Sequence, residues 1–380
     1  MCIFIGLIGM EDMIRQLTSV LFFFLFIGVA TSAAQGMTEP SLVVHLYPDG
    51  QHADRGIVEG GVAVTLGPRE ANQTDTTEFY WERDGSLNAV SDSARVVIYL
   101  PDTRIRNGQM ILICPGGGYN ELMFRSEGTY AARLLTRKGY SVGIVCYRMP
   151  TGHAEIPLTD VQNAFRYCRH HAGEWGITQI GIMGMSAGGH LAATASTLYT
   201  NAVTRPDFTI LFYPVVSAEP GLIHRGSFRK LTGLSREALD AASARLYREA
   251  PEAAPDHLIG SQAVLPSGAT PAVAEPDSLT IALSLVERFS PDRHITADTP
   301  PALLFHSADD RGVPAANSLR YFQLLREAGV PAELHIFPSG GHGWGFNTLE
   351  TAGYDKLEPY RSTFFSALDA FLLSLRPQNP

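Results

Sequence analysis

The feature that most constrains the fold is an alternation of short apolar runs with helical patterns, which begins near Arg95. Several runs are apolar at almost every position, as expected for parallel strands whose two faces are both covered by helices. The predicted strands are residues 95–100, 110–114, 141–147, 180–185, 208–213, 302–306 and 332–337, and the predicted helices are residues 127–138, 157–173, 188–198, 314–328 and 362–375. The alternation therefore predicts a doubly wound, mostly parallel α/β sheet with helices on both faces.

The composition is that of an ordinary globular protein, because 45% of the 380 residues are hydrophobic and 18% are charged. The net charge is −9 and no basic cluster is present, which argues against nucleic acid and anionic membrane surfaces as partners. A neutral small molecule or polymer is the partner that this charge fits. No sequence pattern specifies an oligomeric state.

Residues 1–34 have the order of a secretory signal peptide. Arg15 precedes an apolar run over residues 20–30, and small residues follow at 32–34. The run is shorter than a membrane-spanning helix requires. We expect cleavage before Gln35 and export to the periplasm or the cell exterior, with no membrane attachment after cleavage. An uncleaved N-terminal anchor is the alternative.

Cysteine usage argues against a disulfide framework. Loss of the signal would remove Cys2 and leave Cys114, Cys146 and Cys168. The first two of these end apolar runs, and the third lies on the apolar stripe of a predicted helix. We therefore expect all three to be buried rather than reactive or metal-binding.

Two regions depart from the alternation. Residues 35–94 are polar and irregular, and we expect an N-terminal extension that adds edge strands to the domain of residues 95–376. Residues 217–296 form an insertion with helical patterns at 236–250 and 278–289. The insertion could cap a site at the strand ends, although a flexible surface excursion fits the same pattern.

Residues 184–188, Gly-Met-Ser-Ala-Gly, lie between a predicted strand and a predicted helix, which is the context of a nucleophile elbow. The turn is tight, so side chains at Gly184 and Gly188 would crowd it. A serine hydroxyl is a weak nucleophile unless a base can reach it. Because G-x-S-x-G also arises by chance in a chain with 36 glycines, Ser186 needs partners elsewhere in the sequence.

Candidates for a base and an acid follow the last two predicted strands. His342 lies in a glycine-rich loop, and Asp309 and Asp310 lie just before a predicted helix. The chain order is Ser, Asp, His, and each residue follows the carboxyl end of a strand, where open α/β sheets build their sites. Taken singly, an Asp pair before a helix is often an N-cap, and a His between glycines is often an exposed loop residue. The residues themselves leave Asp309 and Asp310 both open.

A glycine run, Gly116-Gly117-Gly118, follows the predicted strand 110–114. Glycines let backbone N–H groups point at one spot without interference from side chains. We predict that the N–H groups of Ala187 and of Gly116 or Gly117 form an oxyanion hole. A glycine run after a strand can also be a simple turn.

Three other histidines, His190, His306 and His335, lie inside predicted elements or beside these motifs. We expect structural roles for them. No ligand spacing typical of a metal site is present in the sequence.

The motifs occur in an order that resembles a known family. They are Ile113-Cys114-Pro115-Gly116-Gly117-Gly118-Tyr119, Tyr147-Arg148, Pro157-Leu158-Thr159-Asp160, the segment 184–192, Thr299-Pro300-Pro301 and Gly340-Gly341-His342-Gly343. Together they resemble the α/β-hydrolases of the acetylxylan-esterase-like group, which are related to bacterial carbohydrate deacetylases. The resemblance covers residues 95–375 and departs at residues 236–277, where this chain is longer.

The resemblance implies the α/β-hydrolase fold, with a helical insertion before the strand that carries the acid. It implies that Ser186 is the nucleophile and His342 the base. The acid is expected four positions after His306 and three before Val313, which selects Asp310. The implied activity is that of a serine carboxylester hydrolase that deacetylates carbohydrate of the acetylxylan type through an acyl-enzyme, with no cofactor and no metal.

Two other functions share these features. A prolyl-oligopeptidase-like serine peptidase has the same order of residues but normally carries a propeller domain, and the residues before Arg95 lack blade-length repeats. A non-catalytic carbohydrate-binding protein on a decayed hydrolase fold would normally have lost one of the three residues, and none is missing here. A glycosidase would need two facing carboxylates, which no motif marks.

Overall fold

The fold is described by a computed structural model for residues 40–46, 87–88, 94–248 and 278–376. The expected signal peptide, most of the expected extension and residues 249–277 of the insertion lie outside the described residues, so the expectations for them stay predictions. None of the described helices is long and apolar enough to cross a membrane.

Strands and helices alternate along the described part of the chain. The strands are β1 (Leu42–His45), β2 (Leu87–Asn88), β3 (Arg95–Tyr99), β4 (Gln109–Cys114), β5 (Glu121–Leu122), β6 (Ser141–Cys146), β7 (Gln179–Met185), β8 (Thr209–Phe212), β9 (Ala302–Ser307) and β10 (Ala332–Phe337). The helices are α1 (Tyr130–Arg137), α2 (Glu155–His171), α3 (Ser186–Thr197), α4 (Arg225–Thr232), α5 (Arg236–Arg248), α6 (Ser278–Arg288), α7 (Ala316–Glu327), α8 (Leu349–Ala352) and α9 (Arg361–Ser374).

Each predicted strand and helix is present, with bounds that differ by a few residues. The first part of the predicted helix 127–138 is π-helical, over Phe124–Thr129, and only the remainder is α1. The sequence analysis did not locate β1, and it missed β2, β5, α4 and α8. The two-residue strands β2 and β5 and the four-residue helix α8 contain too few residues to show a period.

Eight strands form one sheet in the order β1-β3-β6-β4-β7-β8-β9-β10. The pairs β1–β3 and β3–β6 are antiparallel, and every later pair across the sheet is parallel. The predicted mostly parallel sheet is therefore confirmed. Every residue of β4, β6, β8 and β9 is buried, which requires cover on both faces of the sheet.

The strand order reverses beside β4, because the chain continues from β4 to β6 on one side and then crosses to β7 on the other. Open α/β sheets bind ligands at such a switch point, outside the carboxyl ends of the strands. The loop after β4 carries the glycine run 116–118, and the turn after β7 carries Ser186. The two predicted catalytic segments therefore meet at the switch point.

The three cysteines of the domain are buried and unpaired, as predicted. Burial raises the pKa of Cys146 and of Cys168 to about 12, and it raises the pKa of Cys114 as well. The thiols are therefore protonated at neutral pH and poor nucleophiles.

The described part of the insertion is helical, and the helices predicted at 236–250 and 278–289 are confirmed as α5 and α6. Together with α4 they share a small apolar core. Asp292, which follows α6, accepts hydrogen bonds from Ser217, from Tyr247 on α5 and from Arg320 on α7. This buried carboxylate joins the insertion to the elements around the sheet.

Candidate active site

Ser186 lies at a sharp turn between β7 and α3. Its φ is +53°, in the left-handed region that non-glycine residues rarely adopt, and the residue is half-buried. A Cβ at Gly184 would lie 2.1 Å from the carbonyl oxygen of Gly188, and a Cβ at Gly188 would lie 2.1 Å from that of Cys114. The crowding predicted for both glycines is confirmed. Such backbone strain, about 1–3 kcal/mol, persists where the surroundings enforce it, commonly at active sites.

His342 brings Ser186 and Asp310 together. Its Nε2 lies 2.8 Å from Oγ of Ser186, and its Nδ1 lies 2.6 Å from Oδ2 of Asp310. An ionised carboxylate only accepts hydrogen bonds, so Nδ1 carries the ring proton and Nε2 can accept the hydroxyl proton of Ser186. The His342 side chain is 30% exposed, whereas that of Asp310 is fully buried. Solvent can therefore reach the imidazole but not the carboxylate.

Three further donors hold Asp310. Its Oδ1 accepts from the amides of Gly312 at 2.8 Å and Val313 at 2.9 Å, and Nε2 of His306 lies 3.3 Å from Oδ2. Burial alone would raise the pKa of Asp310, but the hydrogen bonds from His306 and His342 outweigh burial and hold the pKa well below its ordinary value. The carboxylate is therefore ionised at neutral pH.

The two aspartates that the residues left open have different surroundings. Asp309 is exposed, and its Oδ1 accepts from the amide of Gly341 at 2.8 Å. It contacts the backbone of the loop that carries His342, while Asp310 contacts the imidazole itself. The position that the family resemblance selects is the one beside the ring.

The loop that carries His342 is held by aromatic packing. Trp344 is fully buried, and its Nε1 donates to Oγ of Ser307 at 3.1 Å. The ring of Tyr213 lies edge-on against the ring of His342, with centroids 4.8 Å apart. These contacts fix the imidazole although the loop is rich in glycine.

The glycine run after β4 lies beside Ser186, because a Cβ at Gly116 would be 3.0 Å from Cβ of Ser186. The amide of Gly116 donates to Oε2 of Glu127 at 2.6 Å and is therefore occupied. Gly117 is half-buried, and its amide has no hydrogen-bond partner within the described ranges. The amide of Ala187 lies in the first turn of α3, where amides have no acceptor within the helix. Of the two glycines predicted as donors, only Gly117 has an amide without a partner among the described residues.

The sequence analysis did not single out Glu127 or Tyr213. Oε1 of Glu127 accepts from the hydroxyl of Tyr213 at 2.9 Å, and that hydroxyl accepts from the amide of Gly345 at 2.9 Å. Tyr213 directly follows β8 and has a φ of +37°. Sequence alone does not show whether a Glu is buried or exposed to solvent. No sequence pattern indicates a Tyr with a left-handed backbone conformation either, so this pair could not be predicted.

His190 and His306 are buried and hydrogen-bonded, in agreement with structural roles. Nδ1 of His190 accepts from the hydroxyl of Tyr119, and Nε2 donates to the carbonyl of Phe289, both at 2.7 Å. Burial lowers the pKa of His190 to about 4, so the ring is neutral. His335 lies on the edge strand β10. Throughout the part of the chain that the structure describes, no three His, Cys, Asp or Glu side chains are grouped as metal ligands.

Comparison with known proteins places this chain among hydrolases. The family model described as BD-FAE matches residues 96–210, and the Prolyl oligopeptidase family model matches residues 278–362. The first match contains Gly117 and Ser186, and the second contains Asp310 and His342. The solved structure of an acetyl ester-xyloside bifunctional hydrolase from Caldicellulosiruptor lactoaceticus matches with a TM-score of 0.58 and 25% identity, over 90% of this chain and 98% of that one.

An acetylxylan esterase of Xylanibacter ruminicola is 33% identical over 268 residues, which cover 69% of this chain and 46% of the relative. This chain has the α/β-hydrolase fold and is similar to the acetylxylan-esterase-like group. An endo-1,4-beta-xylanase B of Butyrivibrio fibrisolvens is 26% identical to this chain over 261 residues, which cover 64% of this chain and 34% of the relative. This chain therefore spans less than half the length of either curated relative.

Proposed function

We propose that this α/β-hydrolase is a serine carboxylester hydrolase that removes acetyl groups from carbohydrate of the acetylxylan type. The observation that carries the proposal is the pair of contacts made by His342, 2.8 Å to Ser186 and 2.6 Å to Asp310. A reachable hydroxyl, an imidazole positioned to take its proton and a buried carboxylate behind the imidazole suit nucleophilic acyl transfer.

The reaction begins when Oγ of Ser186 attacks the ester carbonyl carbon while Nε2 of His342 accepts the hydroxyl proton. Asp310 stabilises the imidazolium that results. The bond from carbon to the alcohol oxygen then breaks as His342 returns the proton to that oxygen, which leaves the acetyl group on Ser186. Water, deprotonated by His342, attacks the acetyl-enzyme, releases acetate and restores Ser186.

Two backbone amides receive the negative charge that develops on the carbonyl oxygen. We assign this role to Ala187 and Gly117, because the amide of Gly116 already donates to Glu127. The N-terminus of α3 adds a partial positive charge at the same place. A donor of this kind typically contributes about 10²- to 10³-fold to kcat.

The substrate class rests on the relatives rather than on the geometry of the site. One relative is an acetylxylan esterase at 33% identity, and another is an acetyl ester-xyloside bifunctional hydrolase at 25% identity. The contacts of Ser186 and His342 favour an ester but do not distinguish one alcohol from another.

We propose that the insertion is the part of the chain that selects the alcohol. Burial lowers the pKa of His224, which precedes α4, and the charge of His342 lowers this pKa further. This charge effect supports a place for His224 within electrostatic range of the imidazole.

Acetate release from acetylated xylan, acetylated xylo-oligosaccharides and p-nitrophenyl acetate tests the proposal. We expect Ser186→Ala to lower kcat/KM by about 10⁴-fold or more, because the acyl-enzyme can no longer form. Unchanged activity in Ser186→Ala would refute the mechanism.

A matched pair of variants identifies the acid in the same assay. Asp310→Asn removes the charge behind His342 and should lower kcat by about 10³- to 10⁴-fold. Asp309→Asn disturbs only the exposed contact with Gly341 and should stay within about 5-fold of the parent. The reverse order of losses would make Asp309 the acid.

A second candidate function, that of a serine peptidase, is favoured by one observation. The Prolyl oligopeptidase family model matches residues 278–362, which contain Asp310 and His342. Cleavage of a prolyl p-nitroanilide faster than release of acetate would favour the peptidase and overturn the esterase proposal.

We also propose that the protein is exported. The order of Arg15, the apolar run 20–30 and the small residues 32–34 supports this, although the segment lies outside the described residues. Sequencing the N-terminus of the mature protein tests it, since a start at Met1 or Met13 would contradict cleavage before Gln35.

A further inference from the structure

Glu127 is a buried carboxylate immediately beside the nucleophile. The residue is 3% exposed. A Cβ at Gly116 would lie 2.7 Å from Oε2 of Glu127 and 3.0 Å from Cβ of Ser186, so the carboxylate and the nucleophile are neighbours of the same glycine. A buried carboxylate is costly unless it is hydrogen-bonded and its charge is used.

Both oxygens of Glu127 accept hydrogen bonds from groups that belong to other loops. Oε2 accepts from the amide of Gly116 at 2.6 Å, and Oε1 accepts from the hydroxyl of Tyr213 at 2.9 Å. The Tyr213 hydroxyl itself accepts from the amide of Gly345, so its own proton is directed to Glu127. One carboxylate therefore links the glycine loop after β4, the end of β8 and the loop of His342.

The same carboxylate lies within electrostatic range of His342. Burial raises the pKa of Glu127 above its ordinary value, and the hydrogen bonds from Gly116 and Tyr213 and the charge of His342 offset only part of that rise. The charged and titratable groups around the imidazole are Asp310, Glu127, Lys356, His224 and Tyr213. Among them, Lys356 donates to the carbonyl oxygen of His342 at 3.4 Å.

We propose that Glu127 is a positioning residue of the active site. It holds the glycine loop after β4 through Gly116, and its negative charge supports the imidazolium of His342 during acyl transfer. This inference rests on the proposed function. With the amide of Gly116 occupied, the amide of Gly117 is left to receive the oxyanion. With a second anion near the ring, the proton that Ser186 gives up is held more favourably than by Asp310 alone.

The test measures kcat and KM for p-nitrophenyl acetate between about pH 5 and pH 9 on the full chain, where the acid limb of kcat/KM reports the loss of the proton from free His342. An anion nearby stabilises the protonated ring, so removing it moves that limb to lower pH. For Glu127→Gln, we expect a shift of about one unit, a kcat lower by about 10- to 100-fold and a KM within about 3-fold of the parent.

Two variants separate the charge from a merely structural role. Glu127→Asp keeps the anion and shortens the side chain, so kcat should fall while the acid limb stays at the pH of the parent. Glu174→Gln removes an exposed carboxylate on the surface, 70% exposed, and should match the parent throughout. An acid limb that does not move in Glu127→Gln overturns the electrostatic role, and a kcat equal to that of the parent overturns the positioning role.

Tyr213→Phe is a second test of the positioning role, which can be used even if Glu127→Gln does not fold. It removes the hydroxyl between Glu127 and Gly345 but keeps the ring against His342. We expect a kcat lower by about 10-fold, and an unchanged kcat would contradict the proposal.

Ser186→Ala in the same assay distinguishes the proposed function from the proposed role of Glu127. If Ser186→Ala stays active, the proposed function fails. If Ser186→Ala is inactive while Glu127→Gln matches the parent, only the role of Glu127 is refuted.

Discussion

Position 116 has room for a hydrogen atom but not for a methyl group. A Cβ at Gly116 would lie 2.7 Å from Oε2 of Glu127, 2.8 Å from the carbonyl oxygen of Met185 and 3.0 Å from Cβ of Ser186. We expect Gly116→Ala to lower the free energy of unfolding by about 1–3 kcal/mol, and kcat/KM by about 10-fold or more, because the glycine loop after β4 must move away from Ser186. Urea denaturation and esterase kinetics measure the two effects.

Gly173→Ala is the matched control for this substitution. Gly173 is exposed, and a Cβ there would meet nothing within 4 Å, so the free energy of unfolding should change by less than about 0.5 kcal/mol. If both variants lost the same free energy of unfolding, the close contacts at Gly116 would not be the cause of the loss in Gly116→Ala.

Residues of the candidate site differ in how far sequence could predict them. Ser186 and His342 stand in glycine-rich motifs after strands, and their order restricts the fold that can join them. Asp310 needed the spacing of a family motif, because the residues themselves left Asp309 equally open. The choice of Gly117 over Gly116 needed coordinates, since it depends on Glu127, whose burial no local pattern reveals.

Among the elements, the strands were predicted well because a buried parallel strand is apolar at nearly every position and ends abruptly. The shorter elements α4 and α8 have no such pattern, and the π-helical turn before α1 differs from an α-helix only in its hydrogen bonds. How elements are joined was not predictable either. His190 on α3 links Tyr119, in the loop after β4, to Phe289, at the end of α6.

The link through His190 makes stability depend on pH. The pKa of His190 is lowered to about 4 in the folded state by burial, and the unfolded value is about 6.5. Between these values the unfolded chain binds more protons, so the free energy of unfolding falls as pH falls from about 6.5 towards 4. We expect His190→Gln, which does not titrate, to remove up to roughly 3 kcal/mol of this dependence, as measured by urea denaturation across that range. An identical pH slope in the variant would contradict a neutral, buried His190.

For the whole molecule, the order of strands determines where chemistry can occur. The reversal beside β4 brings the ends of β4 and β7 together, and the parallel strands β8, β9 and β10 place Tyr213, Asp310 and His342 along the same edge. The alternation of patterns predicted this architecture, but it did not predict which strand lies beside which.

The central claim is that Ser186 is the nucleophile of an acyl-transfer site. It is tested most directly by treating the protein with a fluorophosphonate probe and mapping the modified peptide by mass spectrometry. A hydroxyl held 2.8 Å from Nε2 of His342 should react, so we predict a single adduct on Ser186, lost in Ser186→Ala and slowed by an acetylated xylo-oligosaccharide. An adduct on another residue, or an unlabelled Ser186 in protein that still releases acetate, would contradict the account.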